Sequence, residues 1–239
     1  MEQIQKKGNY LLAYIDIIAY SNMIKNDDIN IYNIIDFNDK QQRFFNGDKR
    51  YGSISLEIIG FSDSLELTIE ISKEIDSDKN DIFYRKVEYL LKKCIYIQLS
   101  LIKKGILSRG GITYDEHMIF KDKNITYFLS KAHVNAVELE KKTKYPIILI
   151  HDNLLNKLNN EFDKYSLLKD ELNNYFLDFL KNINHEEKTI ISRFINRNIF
   201  KYFDNNEYLY LKYQWLNNYL NYSFSESFNN VDNLKDIIK

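Results

Sequence analysis

Residues 9–17 read NYLLAYIDI, and no other segment narrows the possible folds as much. The run from Tyr10 to Ile15 is uninterrupted by any polar residue, and the first charge is Asp16. It is too short for a core helix and rich in bulky apolar groups, so it predicts a buried strand that ends on an acid. A chain with such a strand needs partner strands beside it and helices to cover it.

The rest of the chain supplies both. Residues 21–37 carry Met23, Ile24, Ile31, Ile34 and Ile35 at roughly helical spacing, with a polar break at 26–28. Residues 38–50 read as a polar loop pinned by Phe44 and Phe45. Residues 51–59 and 65–71 alternate with period two around Gly60-Phe61-Ser62-Asp63, which predicts a β-hairpin with Asp63 at its tip. Residues 81–104 give the clearest helix, with Val87, Leu90, Leu91, Cys94, Ile97 and Leu101 on one face and Gly105 as its stop. Strands are expected at 106–114 and 118–128, a helix at 130–142 and a strand at 145–150.

This order predicts an α+β fold of the ferredoxin-like (split βαβ) plan, an antiparallel or mixed sheet with helices on one face. After residue 151 the pattern turns polar and helical, at 154–158, 172–180, 188–203 and 208–222. Two regions are therefore expected: 1–151, and a helical extension, 152–239, packed on it because no Gly/Ser or Pro linker separates them.

Composition removes several function classes. Lys and Arg number 33 against 34 Asp and Glu, which disfavours a coat for duplex nucleic acid. The single Cys94 excludes an internal disulfide and reads as a small buried apolar residue. No segment approaches the roughly 20 apolar residues that cross a bilayer, so no membrane partner and a cytoplasmic location are expected. His117, His133, His151 and His185 have no metal-binding spacing, and His133 reads as a surface histidine. P-loop and nucleophile-elbow signatures are absent. The aromatic tail reads as helix packing rather than a stacking platform for nucleic acid.

Two acids remain, Asp16 at a strand end and Asp63 at a hairpin tip beside it. On their own they are compatible with a strand-end cap and an ordinary turn residue. Brought together, two carboxylates would repel, and a divalent cation with hard oxygen ligands, Mg²⁺ or Mn²⁺, would relieve that. Tyr14 to Ser21 (YIDIIAYS) resembles the first metal-binding segment of class III adenylate and guanylate cyclases, and Phe61-Ser62-Asp63-Ser64-Leu65 resembles their second. Arg109-Gly110-Gly111-Ile112-Thr113, the helix AHVNAVELE at 132–140 and the Tyr145-Pro146 strand follow in that family's order. With the LKYQWLNNY segment at 211–219, the set is similar to the pyrimidine (uridylate or cytidylate) cyclases of bacterial Pycsar antiphage systems.

That resemblance implies a nucleotidyl cyclase acting on UTP, or next CTP, with two divalent metal ions held by Asp16, Asp63 and the Ile17 carbonyl. It implies a phosphate turn at Ile18, Ala19, Tyr20 and Ser21, and base or transition-state positions at Ile59, Tyr127 and Asn135. Arg109 is the candidate cation for phosphate or base, with the glycines after it allowing close approach. A homodimer with shared sites and a separate cyclic-nucleotide effector protein complete the picture, and no nucleic-acid partner is implied.

The departures are specific. Ala19 replaces a glycine, on the expectation that alanine fits a turn with negative φ. Ser130 replaces another and can serve as an N-cap. Glu138 and Leu139 stand where purine cyclases place an arginine. Ile59 and Tyr127 stand where adenine readers place Lys and Asp. A cyclase for cAMP or cGMP, and a degenerate domain that binds without turnover, are the alternatives.

Overall fold

The apolar run around Leu11 and Leu12 forms the centre of β1 (Ile4–Ile17) in a computed structural model that describes residues 4–25, 51, 54–71, 79–122, 125–158, 162–170 and 172–223. The helix and loop expected over 26–50 lie outside the described residues. On one side β1 pairs with β3 (Ser64–Ile71), which forms a hairpin with β2 (Glu57–Phe61); on the other it pairs with β4 (Ser108–Asp122), all antiparallel. The order β2-β3-β1-β4 is that of the split βαβ plan. Beyond β4, β6 (Ile148–Ile150) runs parallel to it, so the sheet is mixed.

Two helices cover one face. α1 (Tyr20–Lys25) and α2 (Lys79–Ile102) bury Tyr20, Met23, Leu90, Cys94 and Ile97 against Leu11, Ala13, Ile15 and Ile17 of β1. Gly105 ends the α2 segment with φ +74°, as a glycine stop should. The expectation that all helices share one face is overturned by α3 (Lys131–Lys142), whose Ala132 and Ala136 bury Leu12 on the opposite face. The reason was present in β1 itself: a strand apolar at every position, not every second one, needs cover on both sides.

α3 lies so close that there is no room for a side chain beneath it. A Cβ added to Gly111 would fall 2.4 Å from the Ala136 carbonyl oxygen and 2.7 Å from Leu139 Cβ. One added to Gly110 would fall 2.2 Å from the Tyr14 carbonyl oxygen. These glycines therefore serve packing, and the reading that they let an anion approach Arg109 is corrected.

Three further corrections concern boundaries. β4 continues through Asp115-Glu116-His117, where a break was expected, because β1 and β5 (Ile125–Ser130) pair along it; His117 faces Gly8 and Ser130. The strand expected from residue 145 begins at Ile148. The helix expected at 172–180 is instead β8 (Tyr175–Leu177), which pairs with β7 (Leu167–Lys169) and with β6 through Leu149 and Phe176.

After the short α4 (Asp152–Leu155), the chain ends its described part in α5 (His185–Tyr202) and α6 (Glu207–Tyr222). These pack Ile191, Ile195, Leu216 and Tyr219 with Ile147, Leu149 and Phe176 in a second core. Tyr145 stacks on Trp215 at 4.9 Å, and Tyr202 on Tyr213 at 5.8 Å. Among the described residues no helix is long and apolar enough to cross a membrane.

Gly111→Ala is expected to destabilise the protein by about 2 kcal/mol or more, since α3 must move bodily to admit the methyl group. Urea unfolding checks this, and an unchanged midpoint would show that α3 is not seated as described.

Candidate functional site

The site follows from strand register. Asp16 pairs with Ser64 on one neighbour and Arg109 on the other, so the end of β1 gathers the hairpin tip and the start of β4. The Ile17 amide donates to the Asp63 carbonyl at 2.8 Å, which fixes the hairpin tip against β1. Asp63 also accepts from Ser62 Oγ at 2.7 Å. The two predicted acids thus lie at one corner of the sheet.

Arg109 and Glu140 complete that corner. The Arg109 guanidinium pairs with Glu140 through Nη2, lies 3.8 Å from Asp16 Oδ2 through Nε, and Nη1 donates to the Thr143 carbonyl at 3.4 Å. Glu140 is almost fully buried, with 7% of its side chain exposed, against 18% for Asp16. Sequence reading missed Glu140, although its signal was there. It lies four residues after Ala136 on the buried face of α3, and a buried acid needs a cation. Arg109 is thus held by acids of its own chain.

Asp16 carries the electrostatic cost. Burial, then the charges of Glu140 and Asp63, push its carboxyl from 3.8 up to about 6, and Arg109 only partly opposes them. Among the described residues, no group of three or more His, Cys, Asp or Glu is arranged to hold a metal ion. Two carboxylates and the adjacent Ile17 carbonyl are a partial ligand set, of the kind Mg²⁺ accepts when phosphate oxygens and water supply the rest. Asp16, partly exposed and with its charge disfavoured by its acidic neighbours, fits that role.

The turn expected to hold phosphate offers only some of its amides. The Ile18 amide donates to the Leu107 carbonyl at 2.9 Å and Ile18 is buried, so it offers no donor. The amides of Ala19, Tyr20 and Ser21 sit where a helix begins, at positions with no intrahelical partner. Ala19 has φ +61°, so the expectation of negative φ is overturned. The turn keeps the left-handed geometry that glycine suits, at a cost of roughly 1 kcal/mol.

The other expected positions are not brought to the acids. Asn135 donates to Asp115 at 3.0 Å, six residues along β4 from Arg109, and Asn153 donates to the same oxygen at 3.1 Å. Ile59 is half-buried and opposite Glu66 in register. Tyr127 lies on β5 opposite Phe120. His133 is not a simple surface histidine, because its Nδ1 contacts the buried Glu66. Ser130 caps α3 by accepting from the His133 amide at 2.8 Å, and Lys131 pairs with Glu116 at 3.3 Å. Cys94 is fully buried and its thiol is pushed up to about 12, so it is inert packing.

No protein-family model and no curated protein sequence matches the chain. Solved structures with similar folds include the catalytic core of a rhodopsin-guanylyl cyclase with converted specificity in complex with ATPαS. It matches at TM-score 0.46 and 16% identity over 72% of this chain and 97% of that one. The guanylate cyclase domain of RhGC from Catenaria anguillulae in complex with GTP matches at 0.45 and 17%, over 66% and 86%. A bacterial light-regulated adenylyl cyclase matches at 0.46 and 10%, over 80% and 57%. At such identities and TM-scores these likenesses carry no weight in assigning chemistry.

Asp16 gives a pH-dependent stability in protein kept metal-free with a chelator. Its folded pKa is above its unfolded one, so the cost of ionising it is absent below about pH 4 and complete above about pH 6. Asp16→Asn is therefore expected to stabilise the metal-free protein more at pH 7.5 than at pH 4.5, as measured by urea unfolding. An equal effect at both values would contradict the acid cluster.

Proposed function

We propose that this chain is a nucleotidyl cyclase that converts a nucleoside triphosphate to its 3′,5′-cyclic monophosphate and pyrophosphate. The observation that carries the reading is the meeting of Asp16 and Asp63 at one sheet corner beside Arg109, with Asp16 held near a pKa of 6. Acids crowded in this way and left partly exposed favour a cationic ligand. Asp16, Asp63 and the Ile17 carbonyl would hold two divalent ions, Mg²⁺ or Mn²⁺. When bound, these supply Lewis-acid stabilisation of the attacking 3′-oxygen and of the phosphate oxygens.

The chain's own residues do the rest. Arg109, its guanidinium fixed by Glu140 and the Thr143 carbonyl, presents Nε toward the acid corner and orients the triphosphate for in-line attack on the α-phosphorus. The amides of Ala19, Tyr20 and Ser21 donate to a phosphate oxygen at the turn. The pyrophosphate leaves with the electron pair of the broken α–β bridge, and the 3′-oxygen loses its proton to solvent or an adjacent acid.

The base is proposed to be a pyrimidine, uracil before cytosine. Ile59 and Tyr127 replace the Lys and Asp that resemblance assigns to adenine reading, and neither offers that charged pair. A homodimer is proposed, with Asn135 serving the partner's site, since in its own chain it lies away from the acids. Through that resemblance, the product would act as a second messenger in the bacterial cytoplasm, read by a separate effector protein in antiphage defence. Glu138 and Leu139, in place of an arginine, favour a second reading, a domain that binds nucleotide without turnover.

Incubation with each of four nucleoside triphosphates and Mn²⁺, followed by mass identification of products, separates these readings. A cyclic pyrimidine monophosphate is expected, reduced at least 100-fold in both Asp16→Ala and Asp63→Ala, since each removes a metal ligand. Nucleotide binding with no cyclic product would establish the second reading. Substantial turnover by either variant would remove the acids from the mechanism.

A further inference from the structure

A cleft of about 540 Å³ lies between α6 and the segment joining α3 to β6, with Arg109 in its lining. It is lined by Arg109, Lys141, Lys144 and Lys212, with Tyr208 and Trp215 among its walls. Lys141 and Lys144 are exposed at its rim, whereas Lys212 is 5% exposed. The Lys212 ammonium donates to the Lys144 carbonyl at 2.7 Å and lies 3.6 Å from the centre of the Tyr208 ring.

Among the described residues no carboxylate pairs with Lys212. The charged group that acts on it is Arg109, a like charge, and burial together with Arg109 holds its pKa down at about 8. An ammonium has three donors, and a carbonyl with one aromatic face does not neutralise it. A buried charge left without a counter-charge is costly unless a ligand supplies one. Its origin is legible in α6: Lys212 falls on the helical stripe of Leu209, Tyr213 and Leu216, which buries it whatever its charge.

We propose that this cleft is a binding site for a phosphate-bearing anion, with Lys212 at its floor and Arg109, Lys141 and Lys144 around it. The basic lining suits a diphosphate or the polyphosphate end of a nucleotide, and the volume leaves room for more than the phosphates alone. Tyr145 stacked on Trp215 makes one wall rigid. The proposed cyclase chemistry bears on it only through the identity of the anion. Two sources share this chemistry: the triphosphate tail of a substrate held at Asp16 and Asp63, which Arg109 would connect to the cleft, and a separate phosphate-bearing small molecule.

The test uses inorganic pyrophosphate and the full chain in EDTA, where the acid corner can only repel the probe. Calorimetry is expected to show binding that is at least tenfold weaker in Lys212→Met, the size of a lost charged hydrogen bond. Lys212→Met removes a buried unpaired charge and also the donor to the Lys144 carbonyl, so its melting is measured alongside. Weaker binding by a variant that melts as the parent does separates binding from a merely structural clasp of the Lys144 loop. Should that variant not fold, the rim pair Lys141→Gln/Lys144→Gln must still weaken binding at least threefold. Asp16→Ala and Asp63→Ala, which test the cyclase reading, are expected to keep pyrophosphate binding in EDTA. Competition by a non-hydrolysable nucleoside triphosphate with Mg²⁺ assigns the site to the substrate tail, and independent binding of both assigns it to a separate ligand. No binding by the parent, an equal affinity in folded Lys212→Met, or loss of binding in Asp16→Ala alone would overturn the proposal.

Discussion

Three carboxylates, Asp16, Asp63 and Glu140, share the neighbourhood of one guanidinium, and much of the structure arranges that imbalance. Arg109 spends its strongest contact on Glu140, the most buried of the acids, and reaches Asp16 only at 3.8 Å. Glu140 and Arg109 make a pair in which loss of either would strand the other, so the pair acts as a clasp between α3 and β4. Asp16 and Asp63 are left under-neutralised at the sheet corner, which is what a cation-binding site requires before its cation arrives.

The steric arrangement serves the same corner. Gly110 and Gly111 let β1, β4 and α3 come into backbone contact, and that contact brings Glu140 over Arg109. On the other side the hairpin tip is tied by the Ile17 amide to the Asp63 carbonyl. The C-terminal helices then secure both the end of α2 and the segment that follows α3. Tyr213 donates to the Gly105 carbonyl at 2.8 Å, Lys103 pairs with Glu187 at 2.5 Å, and Lys212 holds the Lys144 carbonyl. The described part of the extension thus bears on the site through the loop at residues 143–146.

Much of this was legible in the residues. The apolar run of β1, the period-two hairpin and the long amphipathic α2 each carry a periodicity that physics reads without a structure. Asp16 at the end of a buried strand and Asp63 at a hairpin tip stand out, but on their own they also read as a cap and a turn residue, and the resemblance singled them out. What escaped had a local signal overridden by tertiary contact. Asp115-Glu116-His117 looks like a break, yet pairing with β1 holds it extended, and β5 joins from His117 onward. Residues 175–177 are too short to show a period, and their pairing with β6 makes them a strand. Ala19 was expected in a turn with negative φ, while the chain reversal after β1 holds it at positive φ. Glu140 and Lys212 look like solvated charges until the helix stripe that buries them is drawn.

The central claim is that Asp16 and Asp63 together hold a divalent cation. Titrating Mn²⁺ into the protein and following free Mn²⁺ by electron paramagnetic resonance tests it without reference to any substrate. The account predicts saturable binding that weakens at least tenfold in Asp16→Asn and again in Asp63→Asn, because either change removes half of the carboxylate ligand set. Binding of equal strength in the parent and in both variants would contradict it.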